Sequence, residues 1–409
     1  MKRILAAAVA AASIFLVAPP TTARAAPAGT ASTGHDLVPA ISDHRLAGDR
    51  DLQLTLPKPT GPQPVGTVSL HLVDKSRPDP WVPSESAREL MVQVWYPARN
   101  IRGYSREPWV TPAIAKVINP PGSGILLPLT HGYAGAPVEP GRHPVVLYSP
   151  GFGLWRAGNT AVVEQLASHG YVVVTIDHTH DSQLVEFPGG RVAESAIPQP
   201  DDEAEGERII EKALAVRVAD TRFTLDRLGA LNRGRNPDAE HRSLPKGLAG
   251  ALDLSRVGML GMSLGGPTAA ATMLEDRRIR AGVNLDGSIF GRALTAGLDR
   301  PFLQFGSEPD DGESDETWDA FWARLRGPRL EIQLTGSKHL SFTDLHTLLQ
   351  QSGQTAAELE PVFGTVDSRR SIVVQRAYVV AFFDRYLCHG PGHLLDGPSS
   401  RYPELVFVR

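Results

Sequence analysis

The chain has 409 residues, 42% of them hydrophobic and 21% charged, with a formal net charge of −4. That length holds one large α/β domain or two smaller ones, and the composition is that of a globular protein rather than a disordered or fibrous one. A near-neutral charge balance gives no footprint for nucleic acid, and a single cysteine, Cys388, excludes a disulfide framework and a cysteine-based metal site.

Residues 1–25 read as a secretory signal peptide. Lys2 and Arg3 give a positive start, Ile4 to Ala18 is apolar apart from Ser13, and Ala23-Arg24-Ala25 supplies a small-residue cleavage site. The apolar run is shorter than the ~20 residues a spanning helix needs, so export, not anchoring, is expected. Residues 26–64 are rich in Pro, Ala, Thr and Gly without a sustained period and read as a poorly ordered leader. Residues 65–409 are expected to form a single domain. Val65 to Val73 and Glu89 to Tyr96 alternate apolar and polar positions, as antiparallel strands at a sheet edge do. Residues 108–140 carry much Gly and Pro and read as an irregular surface insertion.

The pattern then changes. Short continuous apolar runs at 144–148, 171–176, 257–260, 281–285, 301–305 and 329–334 read as buried strands. Segments at 157–169, 205–228, 267–274 and 370–387 between and after them read as helices. Buried strands alternating with helices predict a mostly parallel central sheet covered on both faces.

Gly261-Met262-Ser263-Leu264-Gly265-Gly266 stands between one such strand and its helix. A sharp strand-to-helix turn strains the serine backbone and leaves no room for side chains two residues either side, which accounts for the G-x-S-x-G pattern. A serine held there is a candidate nucleophile, and it needs a base to take its proton. His339 follows the strand at 329–334 and is the candidate base. His346 lies in an apolar helix-like run and reads as structural. Two carboxylates compete as the third member. Asp286 terminates a strand, where it is rigidly held, and Asp310 follows the next strand within an acidic run. Spacing alone leaves both open. An oxyanion hole needs two backbone N–H donors. Leu264, after the nucleophile, supplies one, and Phe152 in the glycine-flanked loop Ser149 to Gly153 supplies the other. No cofactor is required by this chemistry. A different class, a metal-dependent hydrolase, is suggested by His178 and His180 in Asp177-His178-Thr179-His180-Asp181, since two closely spaced imidazoles with carboxylates suit zinc or iron.

With these residues assembled, the chain resembles the platelet-activating-factor acetylhydrolase family (the plasma and type II intracellular group) of α/β-hydrolases. The likeness runs from about Val65 to Leu387 and rests on LMVQVWYP at 90–97, SPGFGLWR at 149–156, LASHGYVVVTIDH at 166–178, GMSLGG at 261–266, Leu285-Asp286 and GSKHLSFTD at 336–344. It implies an α/β-hydrolase fold and a serine esterase acting on lipid esters with a short acyl chain, in transient contact with a lipid surface. It also implies Ser263, Asp286 and His339 as the triad and Phe152 and Leu264 as the oxyanion donors. The family's acid follows the strand directly after the nucleophile helix, which selects Asp286 over Asp310. Pro150 and Met262 stand where the family often has histidine.

Overall fold

The computed structural model describes residues 51–309 and 315–409. The expected signal segment, and the leader as far as residue 50, therefore lie outside the described residues. The described strands are β1 (Leu52–Gln53), β2 (Val65–Asp74), β3 (Arg88–Pro97), β4 (Arg106–Pro108), β5 (Ile125–Leu126), β6 (Leu129–Ala134), β7 (His143–Ser149), β8 (Val172–Asp177), β9 (Leu184–Glu186), β10 (Val192–Glu194), β11 (Leu252–Met262), β12 (Ile279–Leu285), β13 (Phe302–Ser307), β14 (Arg329–Leu334) and β15 (Leu405–Phe407). The helices are α1 (Pro112–Ile118), α2 (Thr160–Ser168), α3 (Glu203–Asn232), α4 (Gly265–Glu275), α5 (Arg292–Ala296), α6 (Glu316–Trp322), α7 (Leu345–Gln351), α8 (Ala356–Phe363) and α9 (Ser368–Leu387).

Eleven strands form one sheet in the order β15-β14-β13-β12-β11-β7-β8-β3-β2-β6-β4. The run from β14 to β8 is parallel throughout. Side chains alternate between the faces of each strand, and two separate cores result. Val146, Tyr148, Val173, Leu260, Val283 and Phe305 pack under α2 and α9 on one side. Val145, Leu147, Val174, Met259 and Phe302 pack under α3 and α4 on the other. A mostly parallel sheet with helices on both faces is what the buried runs predict, and it is the architecture of an α/β-hydrolase.

Two expectations are corrected. Strands β2 and β3 are antiparallel to each other, and β3 is antiparallel to β8, but they are not the edge. Segment 108–140 adds β6 alongside β2, and β4 closes the sheet beyond it. Its glycines obscured the strand for a steric reason: at Gly132 a Cβ would lie 2.6 Å from the Trp95 ring, so the close packing of β6 on β3 requires the missing side chain. The ordered chain also begins before Val65. Leu54 and Leu56 are buried with Trp109, Ile114, Trp155 and Leu348. The backbone beyond them is gripped by Arg376, which donates to the carbonyls of Pro57 (2.7 Å) and Lys58 (3.0 Å). Proline-rich composition hid a segment held by side chains of other elements rather than by a period of its own. No helix among the described residues is long and apolar enough to cross a membrane.

Candidate active site

The site is assembled at the carboxyl ends of β11, β12 and β14. Strand β11 ends at Met262, and Ser263 takes φ = 53° before α4 begins. The glycines around it leave no space for a Cβ: one at Gly261 would lie 1.9 Å from the Gly265 carbonyl oxygen, and one at Gly265 would lie 2.0 Å from that of Ser149. The left-handed serine conformation costs about 1–3 kcal/mol. It is held by Ser263 N–H donating to the Leu285 carbonyl (2.8 Å) and by Gly266 N–H donating to that of Ser263 (2.8 Å).

Strand β12 ends in the same way. Asp286 has φ = 55°, its N–H donates to the Phe305 carbonyl (2.9 Å), and a Cβ at Gly287 would lie 2.1 Å from the Ser263 carbonyl oxygen. Asn284 fastens this second turn by accepting from Gly287 N–H (2.9 Å) and donating to the Gly287 carbonyl (2.6 Å). His339 opens a 3₁₀ turn, His339–Phe342, shortly after β14.

The three side chains meet. His339 Nε2 lies 2.9 Å from Ser263 Oγ, and His339 Nδ1 lies 2.6 Å from Asp286 Oδ2. Asp286 Oδ1 accepts from Ser307 N–H at 2.7 Å. Burial works against ionisation of Asp286, but the hydrogen bond and charge of His339 and the Ser307 N–H outweigh it and hold the carboxyl below its ordinary value. An ionised carboxylate only accepts, so Nδ1 carries the imidazole proton and Nε2 is left to accept from the serine hydroxyl. Asp310 lies outside the described residues. His346 is stacked on Phe363 at 4.6 Å within α7, away from this chain of hydrogen bonds.

Phe152 belongs to the loop leaving β7. A Cβ at Gly151 would lie 3.3 Å from Ser263 Cβ, so this loop lies directly against the serine. Among the described residues the N–H groups of Phe152 and Leu264 find no intramolecular acceptor. Both side chains belong to one buried apolar cluster with Trp81, Ile209, Ile210, Ala213 and Val216, the last four of them from α3.

His178 and His180 are not brought to a common centre. His178 is fully buried, with Nε2 2.9 Å from Ser149 Oγ and Nδ1 2.9 Å from Asp220 Oδ2. Both its nitrogens are therefore engaged within the protein. His180 instead faces the Glu194 carbonyl (2.7 Å) and Glu85 (3.3 Å). Ligand atoms of Asp79, Glu85 and His180 lie within 4.8 Å of one another, but the Asp79 carboxylate already accepts from Arg88 and from two backbone N–H groups.

Sequence reasoning missed the charged layer beneath the Phe152 loop. Arg217 and Asp220 of α3 and Arg88 of β3 are all fully buried. Burial opposes ionisation of Asp220, yet the charge of Arg88, with hydrogen bonds from His178 and Arg88, holds its carboxyl far below the usual range. Burial, with the charge of Arg217, pushes His178 down against the opposing pull of Asp220, keeping the ring neutral. The available signal was a pair of ionisable residues, Arg217 and Asp220, inside the apolar stripe formed by Leu214 and Val218.

Comparison with known proteins gives a consistent result. The family described as "Platelet-activating factor acetylhydrolase, isoform II" matches residues 50–390. A protein of Arthroderma benhamiae named "Probable 1-alkyl-2-acetylglycerophosphocholine esterase" is 29% identical over 91% of this chain and 98% of its own length. A platelet-activating factor acetylhydrolase of Cavia porcellus is 26% identical over 62% of this chain, and the match spans 59% of that relative, less than two thirds of it. Among solved structures, a ferulic acid esterase from Streptomyces cinnamoneus superposes with a TM-score of 0.74 at 36% identity, covering 87% of this chain and 99% of its own.

Proposed function

The chain belongs to the platelet-activating factor acetylhydrolase, isoform II, family and is a carboxylic ester hydrolase; from that premise we propose that it works through an acyl-enzyme on Ser263. The observation that carries the reading is the hydrogen-bonded chain from Ser263 through His339 to Asp286. Ser263 Oγ attacks the ester carbonyl as His339 Nε2 takes its proton. The imidazolium that forms is stabilised by Asp286, which also holds the ring in the reactive tautomer. The tetrahedral oxyanion accepts from the N–H groups of Phe152 and Leu264, each such donor lowering the barrier by about 3 kcal/mol. His339 then protonates the departing alkoxide. Water enters, gives its proton to His339 and attacks the acyl carbonyl, and the carboxylic acid leaves as Ser263 recovers its proton. No step calls on a metal or an organic cofactor.

The substrate we favour is a lipid ester with a short acyl chain. The apolar cluster that Trp81, Ile209, Ile210 and Val216 form with Phe152 and Leu264, the residues carrying the oxyanion donors, supports an apolar substrate, since apolar surroundings exclude water and strengthen the oxyanion contacts. The likeness to a ferulic acid esterase favours a second reading, a broader carboxylesterase that also takes aromatic acyl groups on the same triad. Rates over a p-nitrophenyl acyl series, an acetyl phosphocholine lipid and methyl ferulate separate the two. We expect kcat/KM to be highest for the acetyl phospholipid and to fall with chain length; preference for methyl ferulate would replace the lipid reading. A fluorophosphonate probe should label Ser263 in the folded protein, and its failure to do so would remove the acyl-enzyme itself.

We also propose export, carried by the charged start, apolar run and small-residue site of residues 1–25. N-terminal sequencing of protein recovered from the medium of expressing cells should begin just after Ala25. Retention of the intact segment in the cell fraction would count against it.

A further inference from the structure

We propose that Arg217 is a positioning residue of the oxyanion hole: its guanidinium fixes and polarises the peptide between Gly151 and Phe152, so that the Phe152 N–H is presented to the reacting carbonyl oxygen. The inference rests on the serine-esterase reading above and adds to it a residue that touches neither substrate nor triad.

Arg217 is completely buried in α3, and every one of its donors is used. Nε donates to Asp181 Oδ2 at 2.7 Å, and Nη2 donates to Asp181 Oδ1 at 2.7 Å. The second proton of Nη2 goes to the Gly151 carbonyl at 3.0 Å. Nη1 donates to the Pro150 carbonyl and, at 3.4 Å, to Ser149 Oγ. A lone buried charge is costly; here Asp181 neutralises it, and of the three donors left over two are spent on the consecutive Pro150 and Gly151 carbonyls and the third on Ser149 Oγ of the same loop. Asp181 grips the same loop by accepting from Gly153 N–H at 3.3 Å. Beneath it, Ser149 Oγ is held by His178 and His178 by Asp220. The loop is thus anchored by its interior side at Ser149, Pro150, Gly151 and Gly153, and Gly151 lies against Ser263.

The Gly151 carbonyl and the Phe152 N–H are the two ends of a single planar trans peptide, and they point in opposite directions. Fixing the carbonyl on the buried arginine therefore aims the N–H away from it. That N–H, like the Leu264 N–H, has no intramolecular acceptor among the described residues. A charged donor on the carbonyl also draws electron density through the amide and makes its N–H a stronger donor, as in hydrogen-bond chains generally. The Gly151 carbonyl also accepts from Leu154 N–H at 3.1 Å; a neutral side chain of equal size at 217 would fill the space but leave the peptide that one neutral bond, without the charged donor that polarises it.

The test compares wild type with Arg217→Met and Arg217→Lys, using p-nitrophenyl acetate turnover and inhibition by a trifluoromethyl ketone, whose adduct with the serine carries the oxyanion. For Arg217→Met we expect kcat to fall roughly 10- to 100-fold, less than the ~10²–10³ of losing a donor outright. KM should stay within about two-fold, because the interaction is made in the transition state. Ketone affinity should fall by the same factor as kcat/KM, and Arg217→Lys should recover part of the loss. Folded Arg217→Met with kcat and ketone affinity within about two-fold of wild type would overturn the proposal. So would a loss confined to KM. If Arg217→Met does not fold, Arg217→Lys decides: an ammonium has three donors and no planar fork, so it cannot reproduce the five-donor grip on the carboxylate and both carbonyls, and unchanged kcat and ketone affinity there would overturn it equally. Fluorophosphonate labelling of Ser263 in the wild type reports on the underlying reading alone; if it fails, that reading falls, whatever the arginine variants do.

Discussion

Ser263→Ala is expected to lower kcat for ester hydrolysis by roughly a million-fold, the loss that follows removal of a serine nucleophile whose partners act as a unit. The variant should fold as wild type does. Alanine is smaller than serine, tolerates the same backbone to within the strain already present, and removes one hydrogen bond, that to His339 Nε2. KM should change little, because only one hydroxyl is removed and the proposed oxyanion donors, the Phe152 and Leu264 amides, remain. Single-turnover burst of p-nitrophenol, which reports acylation, should vanish together with the steady-state rate. Turnover retained above about one per cent of wild type, with no burst, would assign the chemistry to another group and sink the acyl-enzyme.

Asp286→Asn should cost about 10⁴-fold in kcat. The reason lies in proton placement rather than charge alone. Asparagine can turn its amide NH₂ toward His339 Nδ1, which then accepts, so the imidazole proton moves to Nε2 and the ring confronts the Ser263 hydroxyl with a donor where it needs an acceptor. Turnover of Asp310→Asn should stay close to wild type; a larger loss there than in Asp286→Asn would transfer the role. The same substitution has a thermodynamic signature. Asp286 is held below its ordinary pKa in the fold, so its contribution to stability is present above the unfolded carboxylate value of about 3.9 and is lost as pH falls through the lower folded value. Asp286→Asn should therefore flatten the acid side of a plot of Tm against pH.

The elements that could be read from the sequence are those whose information is local. Strands β7, β8, β11 and β12 are continuous apolar runs because both faces of a covered sheet are dry. Ser263 was legible because its turn forbids side chains at Gly261 and Gly265, and His339 because it follows the last parallel strand. The choice of Asp286 over Asp310 needed the family resemblance, since a strand terminus and an acidic loop both satisfy the spacing. What stayed hidden depends on contacts distant in sequence. Leu54 and Leu56 are ordered by Trp109 and Leu348, and β6 is a strand only because β2 offers it an edge and Trp95 lies where a side chain at Gly132 would go. The layer of Arg88, Arg217 and Asp220 was invisible for the same reason: each charge is tolerated inside by a partner dozens of residues away.

Beneath the loop that carries Phe152 the molecule holds a second serine–histidine–aspartate relay. Ser149, His178 and Asp220 are joined at 2.9 and 2.9 Å, against 2.9 and 2.6 Å for Ser263, His339 and Asp286. A geometric search for the three side chains would return both. The inner relay is sealed from substrate: Ser149, His178 and Asp220 are all fully buried, and the serine oxygen already accepts from Arg217. If Ser263 is the nucleophile, as proposed, what separates the two relays is what each serine can reach: Ser263 stands on a strained turn beside two amides without intramolecular acceptors among the described residues, and reactivity then belongs to that turn rather than to the trio it contains.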